Sequence, residues 1–206
     1  MKFAPLRVQH ALLFVVLAAL FFAWGVWLMR APAPAVPLPW LAAWQSQSLP
    51  ALAAGQLNLG QLRSSEPSHA EGELWLQAQP DGAQLQYRAT LGGADDTWRL
   101  RAVLELSAGE RDSLVVAAGF QADGAEQPLS PQLLKSLAGL PVRELQLTPT
   151  TALAAERLAA TLGQPRLRLQ LEGGEAWVYP ALGLTAQLQD DILLQLYAVP
   201  KRATQH

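Results

Sequence analysis

The chain has 206 residues, of which 50% are hydrophobic and 16% charged, with 17 acidic against 15 basic side chains and no cysteine. A formal net charge of −2 lacks the basic excess that nucleic-acid-binding domains show. The lack of cysteine excludes disulfide scaffolds, thiolate zinc sites, iron–sulfur clusters and cysteine nucleophiles. We therefore expect a folded protein that has no nucleic-acid partner.

An uncharged apolar run, residues 11–29 (ALLFVVLAALFFAWGVWLM), is the first feature of the chain. At about 1.5 Å per residue a helix over this run is about 28 Å long, close to the roughly 30 Å hydrocarbon core of a bilayer. The run therefore predicts a single transmembrane helix, with Trp24 and Trp27 as membrane-interface anchors. Two alternatives stay open: a signal peptide cleaved after the A-x-A sequence Ala33–Ala35, or a buried core helix.

The charges that flank this run predict its orientation. Lys2 and Arg7 precede it, whereas after Arg30 the next basic residue is Arg63. Because short cytoplasmic segments retain basic residues, we expect residues 1–10 in the cytoplasm and the rest of the chain outside it. The abundance of Ala, Leu, Gln and Arg is typical of bacterial proteins from high-GC genomes. These features predict an integral protein of the bacterial inner membrane with a periplasmic domain.

Residues 30–45 are rich in proline and alanine and predict a stiff spacer between the apolar run and the domain. Trp40 and Trp44 lie in this segment, and two interpretations of them stay open. They would anchor the segment in the membrane interface, or they would pack on the folded domain.

Residues 46–200 predict a β-rich domain, because apolar and polar residues alternate over many short segments separated by Gly, Pro and Asp turns. A subdivision near residues 121–129 is the alternative to one unit, and residues 201–206 predict a frayed tail. The predicted strands, in chain order, are 56–62, 73–79, 84–91, 97–106, 115–120, 142–147, 166–171, 175–179, 184–188 and 192–199.

Two short helices are predicted between the strands. One starts at Ser130 and ends at Gly139, and the other starts at Thr150 or Thr151 and ends at Leu162. The predicted fold class is therefore α+β, with a single N-terminal transmembrane helix followed by a β-rich exterior domain of antiparallel meanders with about two short helices.

Residues able to do chemistry are scarce in this sequence. Of the three histidines, only His69 falls in the predicted exterior domain, and a solvated loop residue is the better interpretation of it. The acidic pairs Asp95-Asp96 and Asp190-Asp191 lie between predicted strands, where aspartate favours turns. No nucleophile elbow, P-loop or dinucleotide fingerprint occurs. We predict no catalytic, cofactor or metal residues and no enzymatic activity.

The polar faces of the predicted strands carry a candidate interaction surface, made of Trp75, Arg88, Arg99 and Arg101. A solvated sheet face with cross-strand ion pairs is the alternative. In arrangement alone the chain resembles accessory subunits of secretion and pilus machines. The predicted function is accordingly a non-catalytic interaction or scaffold module of a bacterial envelope assembly. The alternative is a membrane-anchored module that binds or transfers a lipid or another apolar ligand, which would need an uncovered apolar trough.

Overall fold

The computed structural model describes residues 8–29, 35–65, 72–80, 82–92, 96–121 and 126–201, with side chains from residue 12 onward. The chain divides into two compact units, Met1–Ala35 and Val36–His206. Several predictions concern segments outside the described residues. These segments are most of the N-terminal segment 1–10, residues 30–34 of the spacer, the loop with His69, Asp95, and the tail after Lys201.

In the first unit, helix α1 spans Val8–Leu28, and its described large apolar side chains are exposed. Over the part of the chain that the structure describes, no helix combines the length and the apolarity that crossing a membrane requires. The transmembrane helix predicted over residues 11–29 is therefore not shown, and the predicted fold class is corrected. Helix α1 includes the polar residues Gln9 and His10 in its first turn.

The second unit contains a ten-stranded antiparallel sheet. The strands are β1 Glu73–Gln79, β2 Gly82–Leu91, β3 Trp98–Leu104, β4 Glu126–Pro128, β5 Val142–Pro149, β6 Leu153–Ala154, β7 Leu167–Leu171, β8 Gly174–Tyr179, β9 Leu184–Gln189 and β10 Ile192–Ala198. Nine of them follow the order β4-β1-β2-β3-β5-β10-β9-β8-β7, and β6 pairs with β10 beside this path. The sheet therefore joins the two predicted runs of strands through the β5–β10 pair.

Six helices accompany the sheet in the described part of this unit, where about two were predicted. They are α2 Pro39–Ser46, α3 Ser48–Ala53, α4 Leu59–Ser64, α5 Ala108–Ala118, α6 Leu133–Ser136 and α7 Ala155–Leu162, and a 3₁₀ turn covers Pro180–Leu182. Helix α2 begins within the predicted spacer, so that the end of this segment is folded. The second predicted helix is shorter than expected because Leu153–Ala154 pairs with β10 before α7 begins.

Two predicted strands are wrong, and helix capping explains both. The prediction of a strand at 56–62 fails because Asn58 and Gln61 form a capping box that starts α4. The prediction at 115–120 fails because Ser107 and Glu110 form a second capping box, which starts α5. In each case an apolar run that permits a strand follows a polar pair that satisfies the first N–H groups of a helix.

The pairing register gives the sheet two chemically different faces. Because paired residues share a face, one row crosses the sheet from Leu100 through Leu147, Leu196 and Ala186 to Trp177. All five side chains are buried, and they belong to one core cluster with apolar residues of α2, α3, α4 and α7. We call this the inner face. The opposite, outer face carries mostly polar side chains over β1, β2 and β3.

Candidate interaction surface

The outer face of β1–β3 brings the four residues of the candidate surface together. Trp75 is paired with Gln86 of the next strand, and Arg88 is paired with Arg101. Arg99 lies two residues before Arg101 on β3, so its side chain emerges on the same face. All four residues line one groove of about 520 Å³. The structure therefore places them on one continuous surface, which we call the Trp75 groove.

Arg88 is fixed on three sides within the Trp75 groove. Its Nη1 and Nη2 atoms donate to the two carboxylate oxygens of Glu126 at 2.7 and 2.6 Å. Its Nε and Nη2 atoms also donate to Gln86 Oε1 at 3.3 and 3.0 Å. The guanidinium carbon lies 5.0 Å from the centre of the Trp75 ring, and Trp75 Nε1 donates to Glu73 Oε2 at 3.2 Å. The indole is thus held from its face and from its N–H edge.

The Arg88–Glu126 pair shifts the ionisation of both partners. The hydrogen bond from Arg88 holds the pKa of the Glu126 carboxyl below its ordinary value, because a bonded carboxylate resists protonation. The same hydrogen bond raises the pKa of Arg88, while partial burial acts in the opposite direction. The pair therefore depends on an ionised Glu126.

Glutamine side chains connect Arg88 to Arg101. Arg101 Nε donates to Gln86 Oε1, and Arg101 Nη2 donates to Gln77 Oε1, both at 3.0 Å. Gln86 is fully buried, and its amide donates to Gln77 and to Gln84. Two guanidinium groups on directly paired residues would repel each other, and the shared acceptor Gln86 Oε1 offsets part of that repulsion.

Arg99 differs from its two neighbours because it is exposed and lies beside Thr90 and Thr148. Among the described residues, no hydrogen bond or ion pair engages its guanidinium. Arg99 lines the same groove as Trp75, and its exposed guanidinium can pair with a carboxylate on another molecule. Chemically, the Trp75 groove can thus accept an apolar side chain on the indole and an acidic group at Arg99.

Sequence reasoning missed the residues that order this surface, namely Gln77, Gln84, Gln86 and Glu126. The three glutamines alternate in phase with Trp75 and Arg88, so their place on the outer face was available from the sequence. Glu126 was not, because β4 pairs with β1 from a distant part of the chain.

The other tryptophans predicted as functional are divided between the two units. Trp24 and Trp27 lie on α1 with 56% and 67% of their surfaces exposed. Trp44 is buried, and its Nε1 donates to the Ser65 carbonyl oxygen at 2.8 Å. Trp40 contacts Trp44 edge to face at 5.5 Å between ring centres. For Trp40 and Trp44 the structure agrees with the alternative of packing on the folded domain.

The remaining candidates for chemistry that the structure describes are Asp96, Asp190 and Asp191. Among the described residues, no group of three or more His, Asp or Glu side chains is placed to hold a metal ion. Asp190 and Asp191 both have positive φ angles, 50° and 59°, and form the two-residue turn between β9 and β10. The Asp96 carboxylate accepts two hydrogen bonds from Arg157 at 2.8 and 2.7 Å.

No protein-family model, curated protein or solved structure matches this chain. The structure itself characterises the chain, by a ten-stranded antiparallel sheet that has one buried face and an arginine-rich groove on the other face.

Acidification is expected to free Trp75 from Arg88. Because the pKa of Glu126 is lowered in the folded chain, its ion pair is complete above the ordinary value of 4.5 and is lost as the pH falls through the lower, folded value. We expect a change in Trp75 fluorescence with a midpoint below pH 4.5. It is measured in a Glu73→Gln background, so that the carboxylate bonded to Trp75 Nε1 does not contribute, as the difference with and without Trp75→Phe. Adding Glu126→Gln to this background should remove the transition while far-UV circular dichroism stays native. The same transition in Glu126→Gln would contradict the assignment.

Proposed function

We propose that the unit Val36–His206 is a non-catalytic interaction or scaffold module of a bacterial envelope assembly of the secretion or pilus type, with the Trp75 groove as its docking face. The observation that carries the proposal is the ordered Trp75–Arg88 pair in one groove with Arg99, whose guanidinium has no hydrogen bond or ion pair to any residue that the structure describes. The partner we propose is a protein segment that presents an apolar side chain and a carboxylate.

The energetics of association support this choice of surface. Tryptophan and arginine contribute more to interface affinity than most other residues. Here Trp75 and Arg88 are already held by Glu73, Gln86 and Glu126, so less side-chain entropy is lost on binding. A carboxylate of the partner would pair with Arg99, which adds attraction and fixes the register of the complex.

The alternative, a lipid or apolar-ligand module, has less support. It needs an uncovered apolar trough. The inner-face leucines are instead buried, with Leu76, Leu147 and Leu196 each at most 1% exposed. The Trp75 groove itself is lined largely by charged and polar side chains, which suit a protein partner better than an acyl chain.

The periplasmic location is part of this proposal and rests on the basic residues Lys2 and Arg7 ahead of an apolar run, the order of segments that a secretory signal peptide also has. A reporter enzyme fused after His206 tests it. We expect activity from a reporter that works only outside the cytoplasm and none from one that works only inside. The reverse pattern would overturn the location.

Co-purification tests the docking face. The full chain is isolated from its native envelope fraction in mild detergent, and the proteins and lipids that accompany it are identified and quantified by mass spectrometry. We expect a stoichiometric protein partner with the wild type and about tenfold less of it with Arg99→Glu, because a repulsive pair replaces an attractive one. Lys135→Glu makes the same charge change at an exposed residue of α6 and should keep the partner.

Two results would count against the proposed function. Equal partner loss in Arg99→Glu and Lys135→Glu would point to net charge instead of the Trp75 groove. A stoichiometric lipid without any protein partner would favour the apolar-ligand alternative.

A further inference from the structure

The last strand of the sheet, β7, has an open edge. Among the described strands it pairs only with β8, and all five of its residues are exposed. Leu167, Leu169 and Leu171 lie on the outer face with 52%, 50% and 46% of their surfaces exposed. The strand therefore presents unpaired backbone groups and a stripe of leucines side by side.

The two edges of the sheet differ in how they are protected. The opposite edge, β4, has three residues and ends in Pro128, and short length and proline both block strand addition. Strand β7 contains no proline. Its one charged residue, Arg168, stacks over Trp177 at 4.5 Å and donates to Gln164 Oε1 at 3.0 Å. The guanidinium of Arg168 is therefore held by residues of its own chain and does not protect the edge of β7 from strand addition.

We propose that two copies of this chain associate through β7, antiparallel and across a two-fold axis at Leu169, so that their ten-stranded sheets become continuous. The axis requires that each contact be made twice, with residue i opposite residue j and j opposite i. On the outer face, Leu167 lies opposite the partner's Leu171, and Leu169 lies opposite its own copy. The leucine stripe is thereby matched along its whole length.

On the inner face of β7, the side chains of the two copies are also complementary in this register. Arg168 lies opposite the partner's Gln170, whose side-chain oxygen can accept a hydrogen bond. Just outside the strand, Arg166 lies opposite the partner's Glu172, which gives an oppositely charged pair at each end of the interface. Arg166 and Glu172 are both exposed, and no ion pair engages either of them among the described residues. This charge complementarity identifies a second copy as the occupant of the edge.

Neighbouring registers fit less well. A shift that centres the axis on Arg168 places two guanidinium groups directly opposite each other. A shift that centres it on Gln170 places Leu167 opposite the partner's Gly173 and leaves part of the stripe uncovered. The register centred on Leu169 pairs all five residues of β7 and both flanking charges.

Sedimentation equilibrium of the full chain in mild detergent tests the pairing. The wild type should show a concentration-dependent dimer. Leu169→Lys should raise its dissociation constant at least about tenfold, because it places two ammonium groups at the axis. Leu194→Lys, a matched change of an exposed leucine on β10, should leave the dimer intact. Both variants should keep the wild-type circular dichroism spectrum, since both leucines are exposed.

A charge exchange tests the register. Arg166→Glu should weaken the dimer by placing two carboxylates opposite each other at both ends, and Arg166→Glu combined with Glu172→Arg should restore it. A monomeric wild type, a dimer that withstands Leu169→Lys, or a double variant as weak as Arg166→Glu would each overturn the proposal. Partner co-purification through the Trp75 groove should persist in Leu169→Lys, so the two surfaces can fail independently.

Discussion

Replacing Trp98 with alanine is expected to lower the free energy of unfolding by about 3–5 kcal/mol. Trp98 is 1% exposed on the inner face of β3, and its ring lies 5.2 Å from that of Trp40, edge to face. Trp40 in turn contacts Trp44 on the same helix. Truncation removes the largest buried side chain of β3 and its ring contact with α2.

Guanidinium unfolding of the full chain, followed by far-UV circular dichroism, measures this loss. Trp75→Ala is the matched control, because it makes the same chemical change on the half-buried outer face. Its expected loss is about 1 kcal/mol, since the surroundings of Trp75 are polar and partly solvated. Equal losses for the two variants would contradict the larger contribution expected from the buried Trp98 side chain.

The sequence predicts a strand such as β1 well, but it does not predict which segment of the chain packs against Trp98. Strict alternation predicted the strand 73–79 with its observed bounds, because Leu74, Leu76 and Ala78 meet the core whereas the residues between them lie on the outer face. Alternation says nothing about which distant segment covers the apolar face. Residues 30–45 were therefore predicted as a spacer, whereas Pro39–Ser46 forms α2 and buries Leu41 and Trp44.

The helices were harder to predict than the strands. Helices α4 and α5 begin at capping boxes whose polar residues give a clear local signal, yet the apolar residues after them also fit a strand. In short segments the helical period of about 3.6 residues and the strand period of two fit the apolar residues equally well. The capping residues therefore determine which element forms.

The candidate surface was predictable only in part. The side-chain period of two places Trp75, Arg88, Arg99 and Arg101 on one face once the strands pair in order, and the structure has that pairing. Glu126, which holds Arg88, depends on the distant β4–β1 pair. The exposure of the β7 leucines depends on the pairing register, because Arg168 pairs with the inner-face residue Trp177 and the leucines on either side of it therefore lie on the outer face.

The second large effect is expected at the turn that joins β7 to β8. Gly174 has a φ of 151°, and a Cβ atom added to it would lie 2.0 Å from the backbone oxygen of Leu188. Backbone cannot yield as a flexible side chain can, so Gly174→Ala has to separate β8 from β9 locally or to change the turn. With the strain of this backbone conformation, we expect a loss of about 3 kcal/mol in the free energy of unfolding.

The adjacent residue supplies the control for this prediction. A Cβ atom at Gly173 would meet nothing within 4 Å, so Gly173→Ala should change the free energy of unfolding by less than about 0.5 kcal/mol. Equal effects of the two changes in guanidinium unfolding would contradict the backbone clash. Because this turn sets the position of β7 against β8, Gly174→Ala should also weaken the proposed dimer, while Gly173→Ala should not. A single backbone position at the start of β8 would then control both the stability of the sheet and its self-association.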